Sequence, residues 1–325
     1  MKTTLTALGM GAALAAALPA AAEYPTRAIQ MIIPFGPGGA TDLSGRALAP
    51  PLSRIVSQPF VLTNRAGAGG ATGSVAVRDA DGDGYTLLLA RVGSHTVNPA
   101  MNPNLPYTLE EFRFVGIYEI NPVSCVVNSN SEFQTMDDLI NAVQERPGTV
   151  LYSSSGVGSL PHFGALMMLD AYGIGDLDDT VIHIPTEGDG QGLTAVLQGT
   201  SDFFCGSTSP AAPFIASGQM RPLMVTSSER LEGFDAPTVH ELGKPELAAL
   251  VGWTGLAGPA DLPDDVVEKW GAWLAEAVQD EDFNRFMTSG GSIVELMSPE
   301  DSVKFVNEAY EIFRRLVVAL NLEID

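Results

Sequence analysis

Three times along this chain a short β-rich run ends in a glycine-rich turn and passes directly into a helix-like stretch. Ile29–Pro34 leads through Pro34-Phe35-Gly36-Pro37-Gly38-Gly39-Ala40-Thr41-Asp42 into Leu43–Val56. Phe60–Thr63 leads through Asn64-Arg65-Ala66-Gly67-Ala68-Gly69-Gly70-Ala71-Thr72-Gly73 into Ser74–Ala80. Val150–Ser153 leads through Ser153-Ser154-Ser155-Gly156-Val157-Gly158-Ser159-Leu160-Pro161-His162 into Phe163–Tyr172. Glycine permits the sharp turn, and strands alternating with helices point to βαβ units and parallel sheets. The alternation continues through Tyr85–Ala90, Thr180–Ile184, Gly192–Leu197, Asp202–Cys205 and Leu223–Thr226. Two helices close the chain. Pro263 opens one that carries Val267, Trp270, Leu274 and Val278 on one face. Ser298-Pro299-Glu300-Asp301 resembles a capping box before an apolar stripe at Val303, Val306, Tyr310, Phe313, Val317 and Leu320. A length of 325 residues predicts two domains. With no disordered linker between α/β units, the crossovers must be made by strands.

Charge excludes whole classes of partner. The chain has 17 Lys and Arg against 39 Asp and Glu, a net −22. Nucleic acid requires a basic footprint that releases phosphate counterions, and an anionic membrane surface requires the same sign.

Met1-Lys2-Thr3-Thr4, the apolar run Leu5–Leu18 and Pro19-Ala20-Ala21-Ala22 form a secretory leader. Residues 1–22 are therefore predicted to be a cleaved signal peptide, which places the mature chain in the periplasm. The apolar run is shorter than a bilayer span. Cys125 and Cys205 both fall in strand-like segments. Export would permit a bridge, but a disulfide needs a specific geometry, and two buried, unpaired thiols are the expectation.

The first glycine loop reads equally as a tight βα turn and as an anion cradle of unpaired N–H groups at a helix start. The second misses the dinucleotide pattern, because Thr72 stands where the third glycine belongs, and reads as structural. No P-loop occurs. Asp79-Ala80-Asp81-Gly82-Asp83-Gly84 starts like a calcium loop, but Ala90 replaces the bidentate acid, so a turn is expected. His95, His162, His183 and His240 lack zinc-ligand spacing. Neither a metal nor a cofactor is expected. Ser159 with His162 invites a secreted serine hydrolase as an alternative, although no Gly-x-Ser-x-Gly elbow is present and a simple helix cap is the favoured reading of the pair. Glu187, Asp189 and Ser207 lie in loops that follow strands. Taken singly, Glu187 and Asp189 read equally as solvated loop residues and as ligand contacts; together, loops at strand C-terminal ends predict a ligand crevice.

At these residues the chain resembles the Bug-type substrate-binding receptors of the tripartite tricarboxylate transporter family. The shared elements are Ile33-Pro34-Phe35-x-Pro37-Gly38-Gly39-Ala40-Thr41-Asp42, Asn64-Arg65-x-Gly67-Ala68-Gly69-Gly70 and Asp83-Gly84-Tyr85-Thr86-Leu87. Gly156-x-Gly158-Ser159-x-x-His162 and Pro237-Thr238-x-x-Glu241-Leu242-Gly243 complete them in the family's order. The resemblance implies a two-lobed α/β fold of the Venus-flytrap, periplasmic-binding-protein type, each lobe a mainly parallel sheet flanked by helices. Two crossover strands are expected near Tyr118–Ser124 and Leu223–Thr226. Lobe one would comprise residues 23–122 and 226–325, and lobe two residues 123–225.

The same resemblance implies a monomeric, non-enzymatic receptor that hands a small organic carboxylate to integral-membrane transporter subunits. A ligand-sensing partner subunit is a third reading. The resemblance implies that the first glycine loop holds one carboxylate, which points to Phe35, Gly36, Gly38, Gly39, Ala40 and Asp42. Ser94 joins this set, and the second lobe would add Ser155, Gly158, Ser159, His162, Thr186, Glu187, Asp189 and Ser207. The chain departs from the family where Tyr-Lys-Gly usually follows His-x-Pro: it has Thr186-Glu187-Gly188, then Asp189. An acid in place of a cation disfavours a second carboxylate. The expected ligand has one carboxylate and an amine or hydroxyl groups at its far end.

Overall fold

In a computed structural model describing residues 24–175, 180–320 and 322–323, each glycine-rich turn joins a strand to a helix. Strand β1 (Ile29–Ile33) runs into helix α1 (Ala40–Val56), and β2 (Phe60–Asn64) into α2 (Ala71–Arg78). After β3 (Thr86–Arg91), a π-helical turn at Gly93–Val97 leads to the short α3 (Asn98–Met101). The middle of the chain contains β4 (Phe112–Asn128), α4 (Met136–Glu145), β5 (Val150–Ser154), α5 (Leu160–Ala171) and β6 (Val181–Pro185). It continues with α6 (Asp189–Gln198), β7 (Phe203–Ser207), α7 (Thr208–Ala216) and β8 (Met220–Val225). Last come β9 (Val251–Pro259), α8 (Asp264–Ala277), α9 (Glu281–Ser289), β10 (Ile293–Val294) and α10 (Pro299–Leu320). The predicted leader lies outside the described residues.

The fold is a two-sheet α/β arrangement, and β4 belongs to both sheets. Its residues Phe112–Pro122 pair with β9, and Val123–Asn128 pair with β7 on one edge and β8 on the other. The first sheet runs β2-β1-β3-β9-β4, and the second continues β4-β7-β5-β6. Outer strands are parallel, as helical crossovers require: β1 with β2 and β3, and β5 with β6 and β7. Pairings of β4 and β9 are antiparallel, because these strands carry the chain between sheets rather than around a βαβ unit. Thr226, just past β8, ties the return to the crossing: its N–H donates to Val123 O, and its hydroxyl accepts Val123 N–H and donates to Leu250 O.

Strand β1 and the Leu87–Ala90 run of β3 are apolar almost throughout because helices cover both faces. Val267, Trp270 and Leu274 of α8 are buried against that first sheet together with Leu48 and Leu52 of α1. On α10 the inward stripe is Val306, Phe313 and Val317, whereas Val303 is 45% exposed. Ser302 points in instead, its hydroxyl accepting the Ile117 N–H at 2.9 Å.

One expectation is overturned here. Cys125 and Cys205 are joined in a disulfide. They sit directly opposite one another in the antiparallel β4–β7 ladder, with Cα atoms 4.0 Å apart. Each cysteine's strand is visible locally, but the register that makes them partners is a tertiary fact.

Candidate ligand-binding site

Two glycine-bearing loops meet backbone to backbone between the sheets. Gly36 N–H donates to Glu187 O at 2.8 Å. A Cβ on Gly188 would lie 2.9 Å from the Gly36 backbone, and one on Gly190 would lie 2.8 Å from Pro37 O. Only glycine allows this approach. Helix α1 begins at Ala40, after Gly39, which has no side chain to cap it. The missing acceptor comes from the opposite loop: Asp189 Oδ2 accepts the Ala40 N–H at 3.1 Å. A carboxylate on a helix N-terminus is favoured by the dipole and by the unpaired amide together. Asp42 faces the other way and braces the loop. It accepts Gly38 N–H at 2.9 Å, Arg46 Nε at 3.0 Å and Asn64 Nδ2 at 3.0 Å. Burial opposes its ionisation, yet the Arg46, Gly38 and Asn64 hydrogen bonds hold its carboxyl below the usual range.

Beneath these loops lies a cavity of about 20 Å³ lined by Phe35, Thr41, Arg91, Gly93, Ser155 and Leu160, with Pro161, Asp189 and Ser207 completing the wall. That is room for about one water, so a larger solute enters only when the loops part. Four of the candidate residues line it: Phe35, Ser155, Asp189 and Ser207. The Phe35 ring fits because Gly70 and Gly93 leave space for it; a Cβ at either would lie 3.0 or 2.9 Å from Phe35 Cζ. The second glycine loop thus shapes the pocket rather than binding in it.

The cavity's cation, Arg91, is a residue that sequence reasoning missed. It ends β3, and its guanidinium is buried. Nη1 donates to Thr254 Oγ1 at 2.6 Å and Nη2 to Ser207 Oγ of the other sheet. Glu119 stands behind, with Oε2 3.7 Å from Nη1, and is satisfied by the hydroxyls of Thr254 at 2.7 Å and Ser292 at 2.8 Å. Gly252 makes the space, since a Cβ there would lie 2.9 Å from Arg91 Nη2. A lone arginine closing an otherwise apolar strand was the available signal.

The other candidates have local duties. Ser94 Oγ donates to Arg91 O at 3.1 Å and is fully buried. Ser159 caps α5 by accepting the His162 main-chain N–H at 3.4 Å. His162 Nδ1 accepts the Gly158 N–H at 3.3 Å rather than a proton from the Ser159 hydroxyl. Burial lowers His162 to about 3, with His183 beside it adding to the effect. Thr186 Oγ1 bonds Ser154 O at 2.7 Å and Gly188 O at 2.9 Å. The Glu187 side chain is exposed and absent from the lining; only its backbone is used. Among the described residues no cluster of His, Cys, Asp or Glu could hold a metal ion, and no helix is long and apolar enough to cross a membrane.

Comparison with known proteins identifies the family and the fold. The profile of the tripartite tricarboxylate transporter family receptors, TctC, matches residues 45–322. Protein BugT of Bordetella pertussis is 32% identical over 89% of this chain and 88% of its own. The solved structure of the periplasmic binding protein BugD superposes with a TM-score of 0.86 at 26% identity, covering 92% of this chain and 99% of that one. MatC from Rhodopseudomonas palustris, solved with bound malate, gives a TM-score of 0.85 at 25% identity over 90% of this chain and all of its own. With that profile covering most of the chain and a relative 32% identical over nearly all of it, this chain belongs to the tripartite tricarboxylate transporter family receptors.

Proposed function

We propose that the chain is an exported solute receptor that closes two lobes around a small organic carboxylate and delivers it to membrane transporter subunits. The lobes are residues 23–122 with 226–325, and residues 123–225. The observation that carries the reading is the cavity at the C-terminal ends of β3 and β7, walled by residues of both sheets and furnished with a buried guanidinium and a helix N-terminus. MatC, of the same fold, was solved with malate, which supports a small organic acid as the class of solute. Contacts from both lobes stabilise the closed form only when a ligand bridges them, so binding shifts the population without any reaction. Asp189 adds an acid to the wall, which favours a ligand with one carboxylate and an amine or hydroxyls at its far end. The receptor acts in the periplasm as a monomer.

Thermal unfolding of the mature protein against carboxylates, amino acids and sugar acids tests this. A ligand at a hundred times its Kd adds ~2.7 kcal/mol and raises the Tm visibly. A flat panel, repeated after unfolding and refolding to strip a retained solute, would overturn the reading.

A further inference from the structure

We propose that Arg91 is the anchor for the ligand's carboxylate in this receptor, because Asp189 already fills the anion site at the start of α1. The inference rests on the receptor reading above and names how its site discriminates.

The argument starts from two buried charges on one small cavity. Asp189 comes from the second sheet's side yet spends its carboxylate on the Ala40 N–H, where a ligand's carboxylate would otherwise sit. While it stays there, a second anion at α1 meets a like charge in a desolvated space. Arg91 offers the alternative. Its internal hydrogen bonds, to Thr254 and Ser207, use two of five N–H groups. Glu119 balances its charge from behind at 3.7 Å without taking a direct hydrogen bond, its oxygens being held by Thr254 and Ser292. Parting of the loops opens both contacts; on closure around a ligand Asp189 returns to the Ala40 N–H, while the ligand's carboxylate takes the arm of the planar fork that Ser207 held. One carboxylate is therefore accepted and a second refused.

The experiment measures Kd by calorimetry for butyrate, 3-hydroxybutyrate, 4-aminobutyrate, succinate and malate. The proteins are the wild type, Asp189→Ala, Arg91→Lys and the charge-neutral double variant Arg91→Met/Glu119→Gln, which leaves no unpaired buried acid. In the wild type, a single-carboxylate probe binds tighter than succinate and malate. Asp189→Ala frees the α1 site and reverses that order, strengthening succinate or malate by ~10-fold or more. Arg91→Lys and the folded double variant lose ~10- to 100-fold for every probe that binds. Dicarboxylates binding tightest to the wild type, with Asp189→Ala unchanged, would overturn the inference while leaving the receptor reading standing. Unaltered binding by both Arg91 variants would do the same. Silence from all probes in wild type and Asp189→Ala alike, after refolding, would overturn both.

Discussion

The Asp189 carboxylate accepts the Ala40 main-chain N–H at 3.1 Å, although 149 residues separate the two. With Gly36 N–H on Glu187 O, this contact makes the two loops a single clasp whose tightness depends on glycine. Gly188 has extended backbone at φ −176°, so alanine there is unstrained within its own loop. Its Cβ would instead press on the Gly36 backbone at 2.9 Å. Gly188→Ala should therefore cost under ~1 kcal/mol of fold stability while weakening ligand binding ~10-fold or more. Denaturant unfolding and calorimetry report the two quantities separately. Wild-type affinity in this variant would show that the loops need not meet in the bound state.

The Cys125–Cys205 bridge closes a loop of 80 residues across β4 and β7. Loop-closure entropy for such a loop comes to ~4.5 kcal/mol, of which bridges typically deliver ~2–4 kcal/mol. Reduction, or the double substitution Cys125→Ser/Cys205→Ser, should lower the Tm of the second sheet's transition by several degrees. Because β4 serves both sheets, the loss should also reduce the cooperativity of the whole unfolding transition. Equal melting curves with and without reductant, with thiols verified by titration, would refute the stabilising role.

Much of this fold was legible where periodicity and turn chemistry are local. The runs at Ile29–Ile33 and Phe60–Asn64, the three glycine turns and the face of Trp270 and Leu274 all follow from neighbours in sequence. What escaped depends on distant partners. Strand β9 carries Gly252, Gly255 and Gly258, which lower strand propensity, yet a Cβ at Gly252 or Gly255 would strike Arg91 or Gly116 O. Helix α1 starts at Ala40 rather than Leu43 because its cap is supplied by Asp189. The residues of the cavity divide in the same way. Phe35, Ser155, Asp189 and Ser207 stand in recognisable loops, whereas Arg91 becomes a site residue only when β3, β7 and β9 converge on it.

His162 and His183 stack with ring centroids 4.5 Å apart, and Tyr152 lies on His183 at 4.7 Å. Burial lowers His162 to about 3, aided by the neighbouring imidazole, and His183 to about 4, both from 6.5. A depressed folded value means that the unfolded chain binds more protons below pH 6.5. Stability is then undiminished above that pH and falls as the pH drops towards 4, with His162 continuing the decline to about 3. Between pH 7 and 5, ordinary carboxylates contribute little. Over that interval the Tm of His183→Gln, which can still bond Ser154 Oγ, should fall less than that of the wild type. Identical slopes would remove His183 from the acid response.

Asp42 allows the opposite limb to be tested. Its carboxylate gathers Gly38, Arg46 and Asn64 around the loop that carries Phe35. The folded group ionises below its usual 3.8, so the stability it lends is present above pH 3.8 and is lost as the pH falls further. Asp42→Asn keeps the shape but removes the charge, and should lower stability at pH 7 by ~1–3 kcal/mol. The gap to the wild type should narrow below pH 3.8, where the native carboxyl also becomes neutral. Because the loop stays attached to Asp189 through Ala40, ligand affinity should fall less than stability does. A gap that stays constant down to pH 2.5 would show that shape, rather than charge, is what Asp42 contributes to the loop.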